Sequence, residues 1–279
     1  MLAALIRLAS GWPLWLSHAI GGALGWLTWL ASPRYRRRFG ENARQAGYTF
    51  AQVRGAVAQA GRMALEAPRL WFGQPVPVQW PAYNPIDAAY AAGRGIVFLT
   101  PHLGCFEVTV RTAAERYAAR FGPITILYRP SRQPALEQIL ARARQQQGQV
   151  RALAATPAGV RALLKALRAG QAVGLLPDQV PPQGQGLWAP FFGRPAYTMT
   201  LAARLAQQTG ATIILAWGER LPRGAGYRLH LADFPDPLAD NLPTATGQIN
   251  RAMEALIRQC PGQYLWGYGR YKTPRGTPP

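Results

Sequence analysis

Acidic residues are scarce in this chain, because Asp and Glu together number 12 against 31 Lys and Arg, giving a formal net charge of +19 over 279 residues. Lysine is nearly absent too, since Lys165 and Lys272 are the only two and arginine supplies the remaining cations. Such an excess of positive charge predicts an anionic partner, either nucleic acid, a membrane surface or an acidic substrate. With 49% hydrophobic and 15% charged residues, the composition is that of a folded chain with a sizeable core.

Cysteine and histidine are too few for several kinds of chemistry. Cys105 and Cys260 allow one disulfide at most, so a disulfide framework, a CxxC redox pair and a zinc ribbon are all excluded. The only histidines are His18, His102 and His230. The sequence contains no GxxxxGK[ST] phosphate-binding loop and no GxSxG nucleophile elbow. The sequence signals of P-loop nucleotide binding and of an ordinary serine hydrolase are therefore missing.

A long uncharged run lies near the amino end, at residues 12–31. A run of this length can cross a bilayer core, and tryptophans near both of its ends are typical of the two membrane interfaces. Arginines follow at once, at positions 34, 36, 37 and 38, so the positive-inside rule predicts a cytoplasmic location for the rest of the chain. We therefore expect a membrane anchor helix within residues 1–32.

Two other interpretations of this run compete with a spanning anchor. Pro13, His18 and three glycines make the run only moderately apolar, so a helix lying in the headgroup interface stays open. A cleaved signal peptide is disfavoured, because an arginine cluster directly after the apolar run opposes translocation.

The remainder, residues 33–279, is predicted to form one cytoplasmic-facing α/β domain. Residues 33–72 are basic with apolar residues at helical spacing and a break at Pro68, so residues 33–80 are expected to form a helical lid or linker. After it, strands are predicted at 96–100, 124–128, 172–176, 212–217 and 227–231, and helices at 107–120, 134–147, 158–169, 198–208 and 246–259. This alternation predicts a mainly parallel sheet flanked by helices.

His102 and Glu107 stand directly after the first predicted strand and form a His-x4-Glu pattern. Within one helix their side chains would lie about 140° apart, but with His102 in the loop and Glu107 in the next helix they can meet. Loops at the carboxyl ends of parallel strands are where such folds place their sites. A neutral imidazole can take a proton from a hydroxyl while a carboxylate fixes its tautomer, so we predict a catalytic pair, the alternative being a structural histidine.

Several further segments accompany this pattern at successive strand ends and elsewhere in the chain. They are ENARQAG, LEAPRLW, PHLGCFE, YRP, LLPDQ, PFFGRPAYT and the terminal QYLW. Together they resemble the bacterial lipid A biosynthesis acyltransferases of lauroyl or myristoyl type, within the lysophospholipid acyltransferase superfamily. The resemblance covers nearly the whole chain. One departure is that Val180, Pro181 and Pro182 follow LLPDQ where many relatives have an acidic residue and a glycine, which bears on the shape of the acceptor loop.

The resemblance implies a glycerolipid-acyltransferase-like fold and assigns a role to each of five residues. His102 and Glu107 would be the catalytic dyad, Arg129 a positive group near the reacting or phosphate-bearing atoms, and Asp178 and Arg194 residues of the acceptor site. The implied reaction moves a fatty acyl group from an acyl carrier protein thioester to a hydroxyl of a phosphorylated glycolipid, the lipid A precursor. It is implied to take place at the bacterial inner membrane, among membrane lipids, without cofactor, metal or covalent intermediate.

Other functions are kept beside this one. The acceptor could instead be a lysophospholipid, an ornithine lipid or another glycolipid, because all are amphiphiles and the sequence does not separate them. A cysteine nucleophile at Cys105 is disfavoured, since nothing marks the thiol as activated. A membrane-tethered nucleic-acid binder is disfavoured because the arginines are dispersed, whereas such a protein concentrates them on a reading helix or beside stacking aromatics. We therefore expect no nucleic acid among the partners.

Overall fold

A seven-stranded sheet forms the centre of the chain in a computed structural model, which describes residues 2–130 and 148–274. The strands are β1 Val78–Gln79, β2 Ile96–Leu99, β3 Ile124–Tyr128, β4 Val150–Ala154, β5 Ala172–Leu175, β6 Gly186–Phe191, β7 Arg194–Met199, β8 Thr212–Arg220 and β9 Tyr227–Asp233. The helices are α1 Leu2–Ser10, α2 Leu14–Ala31, α3 Pro33–Gln45, α4 Phe50–Val53, α5 Gly55–Phe72, α6 Ile86–Ala91, α7 Phe106–Phe121, α8 Pro157–Arg168, α9 Leu201–Thr209 and α10 Leu242–Gln259.

The strand order across the sheet is β1-β9-β8-β2-β5-β3-β4. Strands β8, β2, β5, β3 and β4 run parallel, and β9 is antiparallel to β8. The predicted α/β class with a mainly parallel sheet is thus confirmed. The two strands β6 and β7 form a separate antiparallel hairpin.

Helices cover both faces of the sheet. Every residue of β2 and β5 is buried, as expected for parallel strands enclosed by two helical layers. Alternate residues of β2 enter different cores: Val97 and Leu99 pack with Leu163 of α8, whereas Ile96 and Phe98 pack with side chains of α6 and α7. The period-two alternation of the strand therefore binds both helical layers to the same sheet.

Most predicted elements are present, and the structure adds elements that were not predicted, among them β4, α6 and the β6–β7 hairpin. The predicted helix 134–147 lies outside the described residues. The predicted helix 198–208 begins only at Leu201, because Thr198 and Met199 belong to β7. The hairpin was missed because its turn, Phe192-Gly193, puts a phenylalanine at φ 47°, a left-handed conformation usually signalled by Asn or Gly. The backbone N–H of Phe192 donates to Glu254 and its carbonyl accepts from Gln45, which hold this turn.

At the amino end, α2 packs lengthwise on α5 through small residues. A β-carbon added to Gly61 of α5 would lie 1.9 Å from the carbonyl oxygen of Gly21, and one added to Gly25 would lie 2.3 Å from the carbonyl oxygen of Val57. The two backbones therefore touch, and substitution of either glycine would separate them. In the part of the chain that the structure describes, no helix is long and apolar enough to cross a membrane, so the expected membrane helix is not confirmed.

Pro68 was expected to end a helix and does not. It lies inside α5, which continues to Phe72 and ends at Gly73. A proline inside a helix removes one hydrogen bond, but it does not abolish a helix that tertiary contacts hold on both sides. Here Glu66 and Leu70, on either side of Pro68, are both buried.

Candidate active site

The loops that follow β2 and β5 meet at the carboxyl edge of the sheet. Strand β2 pairs in parallel with β5 from Ile96 to Leu99, so the segments that continue from both strands emerge side by side. The first carries His102 and the second carries Asp178. This is the edge where parallel α/β folds place their sites.

Asp178 binds His102 at two points. Its Oδ2 accepts from the backbone N–H of His102 at 2.9 Å, and its Oδ1 lies 2.8 Å from Nδ1 of the ring. The Asp178 side chain is 2% exposed and that of His102 is 15% exposed, so the contact is largely shielded from water. A carboxylate only accepts hydrogen bonds, so in the neutral ring Nδ1 carries the proton and Nε2 has the free lone pair.

The electrostatics of the site favour an ionised Asp178. Burial opposes its charge, but electrostatic attraction to His102, two hydrogen bonds from the same residue and the nearby Arg270 hold the pKa of Asp178 below its ordinary value. Burial in turn lowers the pKa of the Arg270 guanidinium, while Tyr264 and Asp178 oppose that change. The carboxylate therefore remains a hydrogen-bond acceptor for His102 at neutral pH.

Gln179, the next residue, lies on the other side of the imidazole. Its Nε2 is 3.0 Å from Nε2 of His102. Because Nδ1 carries the ring proton, the Gln179 amide is the donor and the imidazole nitrogen the acceptor. Each ring nitrogen of His102 thus has a partner, and both partners come from the loop after β5.

The loop that carries His102 is held from behind by β8 and by the carboxyl-terminal segment. Gly104 has φ +57°, and a β-carbon there would lie 2.0 Å from the carbonyl oxygen of Gly218, so only glycine fits. The backbone N–H of Gly104 donates to the carbonyl of Gln263 at 3.1 Å. The carbonyl of His102 accepts from Leu265 at 3.1 Å. These hydrogen bonds fix the backbone of the His102 loop and so the position of the imidazole.

Glu107 was expected to orient the imidazole, and the structure adds a carboxylate that was not expected there, that of Asp178, bonded to the ring. Glu107 lies in the first turn of α7, where the helix dipole favours an anion, and its Oε2 accepts from the indole of Trp71 at 3.4 Å. The neighbouring Phe106 packs against His102 with ring centroids 5.1 Å apart. Glu107 is therefore close to the site along the chain, and its catalytic role stays a prediction.

The two predicted arginines lie apart from the imidazole in the topology. Arg129 follows β3 and is exposed, and β5 separates β3 from β2. Arg194 begins β7 and is exposed, with its guanidinium 4.6 Å from the ring centre of Tyr271. Of the three predicted binding residues, Asp178 is the one that bonds His102 within the described ranges. The binding roles of Arg129 and Arg194 stay predictions.

A buried cluster of charged residues, centred on Glu66, joins the amino-terminal helices to the sheet. The Glu66 carboxylate accepts from Arg220 at 2.8 and 2.5 Å, from the hydroxyl of Tyr227 at 2.8 Å, and lies 3.0 Å from Nε2 of His18. Burial opposes its charge, yet Arg220 and His18 outweigh burial and lower the pKa of Glu66 from 4.5 to about 2. This cluster ties α2, α5, β8 and β9 together.

Arg220 also connects the cluster to the site. Its backbone N–H donates to Oε1 of Gln263 at 2.9 Å, and its carbonyl accepts from Nε2 of the same glutamine at 3.1 Å. Gln263 in turn holds Gly104 of the His102 loop. The QYLW segment therefore links the buried charged cluster to the backbone of the loop that carries His102.

Cys105 is not an activated thiol. It is buried, and burial followed by the charge of Glu66 raises its pKa well above the ordinary value. The expectation against a cysteine nucleophile agrees with this environment. His18 bonds Glu66 and His230 bonds Glu219 at 2.9 Å, so both have partners outside the candidate site.

Three residues of the site have no role predicted from the sequence, although each lies in one of the segments that carry the family resemblance. Gln179 stands in LLPDQ, Glu66 in LEAPRLW and Gln263 in QYLW. The available signal was a polar residue inside an otherwise apolar segment, since such a residue is buried only with a partner. The partners themselves lie far away in sequence, which is why their pairing was not predicted.

The fold and the site define a class of protein, an α/β domain with a histidine–carboxylate pair at the carboxyl edge of a parallel sheet. The chain belongs to the family of bacterial lipid A biosynthesis acyltransferases, whose family model matches residues 39–273. It is 28% identical over 193 residues to a lipid A biosynthesis lauroyltransferase of Escherichia coli (strain K12), covering 67% of this chain and 60% of that protein.

Two other relatives carry related names. The chain is 27% identical over 193 residues to the lipid A biosynthesis palmitoleoyltransferase of Escherichia coli (strain K12), covering 67% of this chain and 59% of that protein. It is 23% identical over 184 residues to a lipid A biosynthesis acyltransferase of Haemophilus influenzae, covering 65% of this chain and 55% of that protein. The matched region thus spans between 55% and 60% of the length of these relatives.

Proposed function

We propose that this protein transfers a fatty acyl group from an acyl carrier protein thioester to a hydroxyl of a lipid A precursor. The observation that carries the proposal is the buried hydrogen bond between His102 Nδ1 and Asp178 Oδ1, at 2.8 Å. It makes Nε2 the proton-accepting atom of a neutral imidazole, which is what a hydroxyl nucleophile needs. Membership in the lipid A acyltransferase family supports this acceptor class.

In the proposed reaction, His102 Nε2 removes the proton from the acceptor hydroxyl while the hydroxyl oxygen attacks the thioester carbonyl carbon. A carbon–oxygen bond forms, and the carbonyl electron pair moves to oxygen. Collapse of this tetrahedral intermediate breaks the carbon–sulfur bond, and the leaving thiolate takes the proton back from the imidazolium. Asp178 accepts from Nδ1 throughout and stabilises the positive ring, so no acyl-enzyme is needed.

The other predicted site residues have electrostatic roles in this proposal. Glu107, in the first turn of α7, adds a second negative charge that favours the imidazolium. Arg129, or backbone amides, would hold the oxyanion, and loss of one such donor typically costs about 3 kcal/mol of barrier. Arg194 would bind the phosphorylated acceptor together with the loop that carries Asp178.

The net charge of +19 suits both proposed substrates, because an acidic carrier protein and a phosphorylated glycolipid are anionic. It also suits a location on the cytoplasmic side of the inner membrane, whose lipids are partly anionic. The charge alone is shared by many proteins that bind polyanions, so it supports the proposal only beside the family match.

For membrane attachment we propose an interfacial helix. One face of α2 is buried against the protein and includes His18 at 5% exposure. The opposite face exposes large apolar side chains, with Leu27 at 60% and Leu30 at 63%, and Trp15 and Trp26 lie on it too. An apolar stripe of this kind beside exposed arginines such as Arg34 is typical of a helix lying in the headgroup region.

The test combines the purified protein, acyl carrier protein thioesters and an underacylated lipid A precursor. We expect a product heavier by one acyl group, detected by mass spectrometry. His102→Ala should lose about 10²- to 10⁴-fold in rate, the contribution typical of a general base. His230→Ala is the matched control, because His230 is hydrogen-bonded to Glu219 on β8 and has no part in the proposed reaction.

Parallel reactions with a lysophospholipid and an ornithine lipid test the alternative acceptors. Acylation of either in preference to the lipid A precursor would replace the proposed acceptor and keep the chemistry. Near-full turnover by the His102→Ala variant would show that the general-base mechanism is wrong.

A further inference from the structure

The lone pair with which His102 would act as a base is already occupied. Gln179 donates from its carboxamide to Nε2 at 3.0 Å, and Nδ1 on the opposite side of the ring is bonded to Asp178. A nitrogen that accepts a hydrogen bond from an amide does not at the same time accept a proton from water. In the resting site the nitrogen that would act as the base, Nε2 of His102, is therefore blocked by the Gln179 amide.

The backbone around Gln179 is held in place by its neighbours, and this positions the side-chain amide next to Nε2 of His102. Asp178 and Val180, its neighbours, are buried, and the N–H of Val180 donates to the hydroxyl of Tyr268 at 2.9 Å. Pro181 and Pro182 follow, and each restricts the backbone further. The Gln179 side chain itself is only half-buried, so its carboxamide can rotate away while the backbone stays in place.

We propose that Gln179 is a cap on His102 that withholds the base from water until an acceptor lipid displaces the carboxamide. This inference rests on the proposed acyl transfer. An enzyme that activates a hydroxyl in the presence of a thioester faces a competing reaction, because water can also lose a proton to Nε2 and attack the carbonyl carbon. That reaction breaks the carbon–sulfur bond and releases a free fatty acid and a thiol.

The cap also accommodates the proton once it has moved. An imidazolium has N–H groups at both nitrogens, and the Gln179 amide can turn its oxygen toward Nε2 and accept. The same side chain thus satisfies the neutral ring with its NH2 group and the charged ring with its carbonyl. The other charged groups to consider are Asp178, with Arg270 behind it, and Glu107, which follows the His102 loop in the first turn of α7.

The first experiment needs no substrate. Diethylpyrocarbonate modifies neutral imidazole nitrogens, and the chain has only three histidines, so modification of His102 can be followed by peptide mass spectrometry. In Gln179→Ala we expect His102 to react about fivefold faster than in the wild type, the factor that one hydrogen bond of ordinary strength represents. Gln185→Ala, at an exposed glutamine of the same loop, is the control. Equal rates in the Gln179→Ala variant and the wild type would overturn the cap.

The second experiment measures how thioester partitions between water and lipid. We expect Gln179→Ala to raise the ratio of released fatty acid to acylated lipid about fivefold, while Gln185→Ala leaves it unchanged. Faster modification of His102 with an unchanged ratio would overturn the protective role. If the wild type transfers no acyl group at all, the proposed function fails, and the modification rates still decide whether the cap exists.

Gln179→Glu separates a cap from a merely structural side chain. A carboxylate beside Nε2 accepts only and favours the imidazolium, so the acidic limb of the kcat/KM profile should move up by about one pH unit. An unmoved limb would mean that position 179 does not face the reacting nitrogen, which contradicts the proposal. Thermal unfolding of each variant checks that the fold is retained.

Discussion

Asp178 holds His102 by two bonds from one carboxylate, one to the backbone amide at 2.9 Å and one to the ring at 2.8 Å. Position and tautomer of the imidazole are thus set by the same group. Asp178→Asn keeps the shape of the side chain but removes the charge that stabilises the imidazolium. We expect kcat for acyl transfer to fall by about 10²- to 10⁴-fold, with a smaller change in KM.

Glu107→Gln is the comparison for this variant. Because Asp178 is bonded directly to Nδ1 and Glu107 is proposed to add its charge, we expect a loss smaller than that of Asp178→Asn, on the order of 10-fold. The measurement is kcat for both variants in one assay at neutral pH. A loss in Glu107→Gln equal to or larger than that in Asp178→Asn would mean that Glu107 is the orienting carboxylate.

The Glu66–Arg220 ion pair should be costly to break from one side. Both side chains are 1% exposed, so Glu66→Gln leaves the Arg220 guanidinium buried without its counter-charge. We expect a loss of about 3 to 5 kcal/mol in the free energy of unfolding, measured by urea denaturation. The double variant Glu66→Leu/Arg220→Met, which removes both charges, should lose less free energy of unfolding than Glu66→Gln alone.

The control is the exposed pair Arg37–Glu41, whose side chains are 72% and 51% exposed at 3.9 Å. Glu41→Gln should change the free energy of unfolding by less than about 1 kcal/mol. A single Glu66→Gln variant as stable as the wild type would show that the buried charge has another partner.

Acid should remove the contribution of Glu66 over a defined range of pH. Its pKa is lowered from 4.5 to about 2 in the folded protein, so the unfolded chain binds the proton first as pH falls. Stability from this group is complete above about pH 5 and is lost toward pH 2, in total about 3 kcal/mol. Urea titrations at pH 6 and pH 3 should show a smaller loss for the Glu66→Leu/Arg220→Met variant than for the wild type. Equal losses of stability between pH 6 and pH 3 in the two proteins would contradict the lowered pKa of Glu66.

Membrane binding should depend on the exposed face of α2. Leu27 is 60% exposed there, and Leu27→Asp places a charge in the proposed apolar contact. We expect co-flotation with vesicles of anionic phospholipid to fall about 10-fold or more, since both burial and charge then oppose binding. Thr244→Asp makes the same change of charge at an exposed position on α10 and should bind like the wild type. Equal binding by both variants would mean that α2 does not meet the lipid.

The sequence predicts the parallel sheet and the position of His102 well, because both depend on local signals. Apolar runs between turn residues define β2, β3 and β5, and a histidine directly after such a run marks the edge of the sheet. The residue that bonds the His102 ring could not be predicted from such local signals. Asp178 reaches the ring only because β5 is the sheet neighbour of β2, and that strand order follows from the packing of the whole chain.

The amino-terminal helices show a second limit of local patterns. The uncharged run at residues 12–31 predicts an anchor, but uncharged residues also include the glycines through which α2 packs on α5. His18 looked like an interruption of an apolar segment and is a buried partner of Glu66. The length of the uncharged run predicts the helix, whereas its packing against α5 depends on glycines and on the Glu66 carboxylate, which the run itself does not indicate.

The backbone contact between Gly21 and Gly61 makes the first helices inseparable from the catalytic body. A shortened chain designed for solubility, without its first 32 residues, would uncover the small-residue face of α5 to solvent and leave Glu66 without one of its hydrogen-bond partners. The same carboxylate reaches the His102 loop through Arg220 and Gln263. The helix that would contact the lipid therefore also packs against the catalytic domain. A substitution that changes one of these two surfaces of α2 is expected to affect the other.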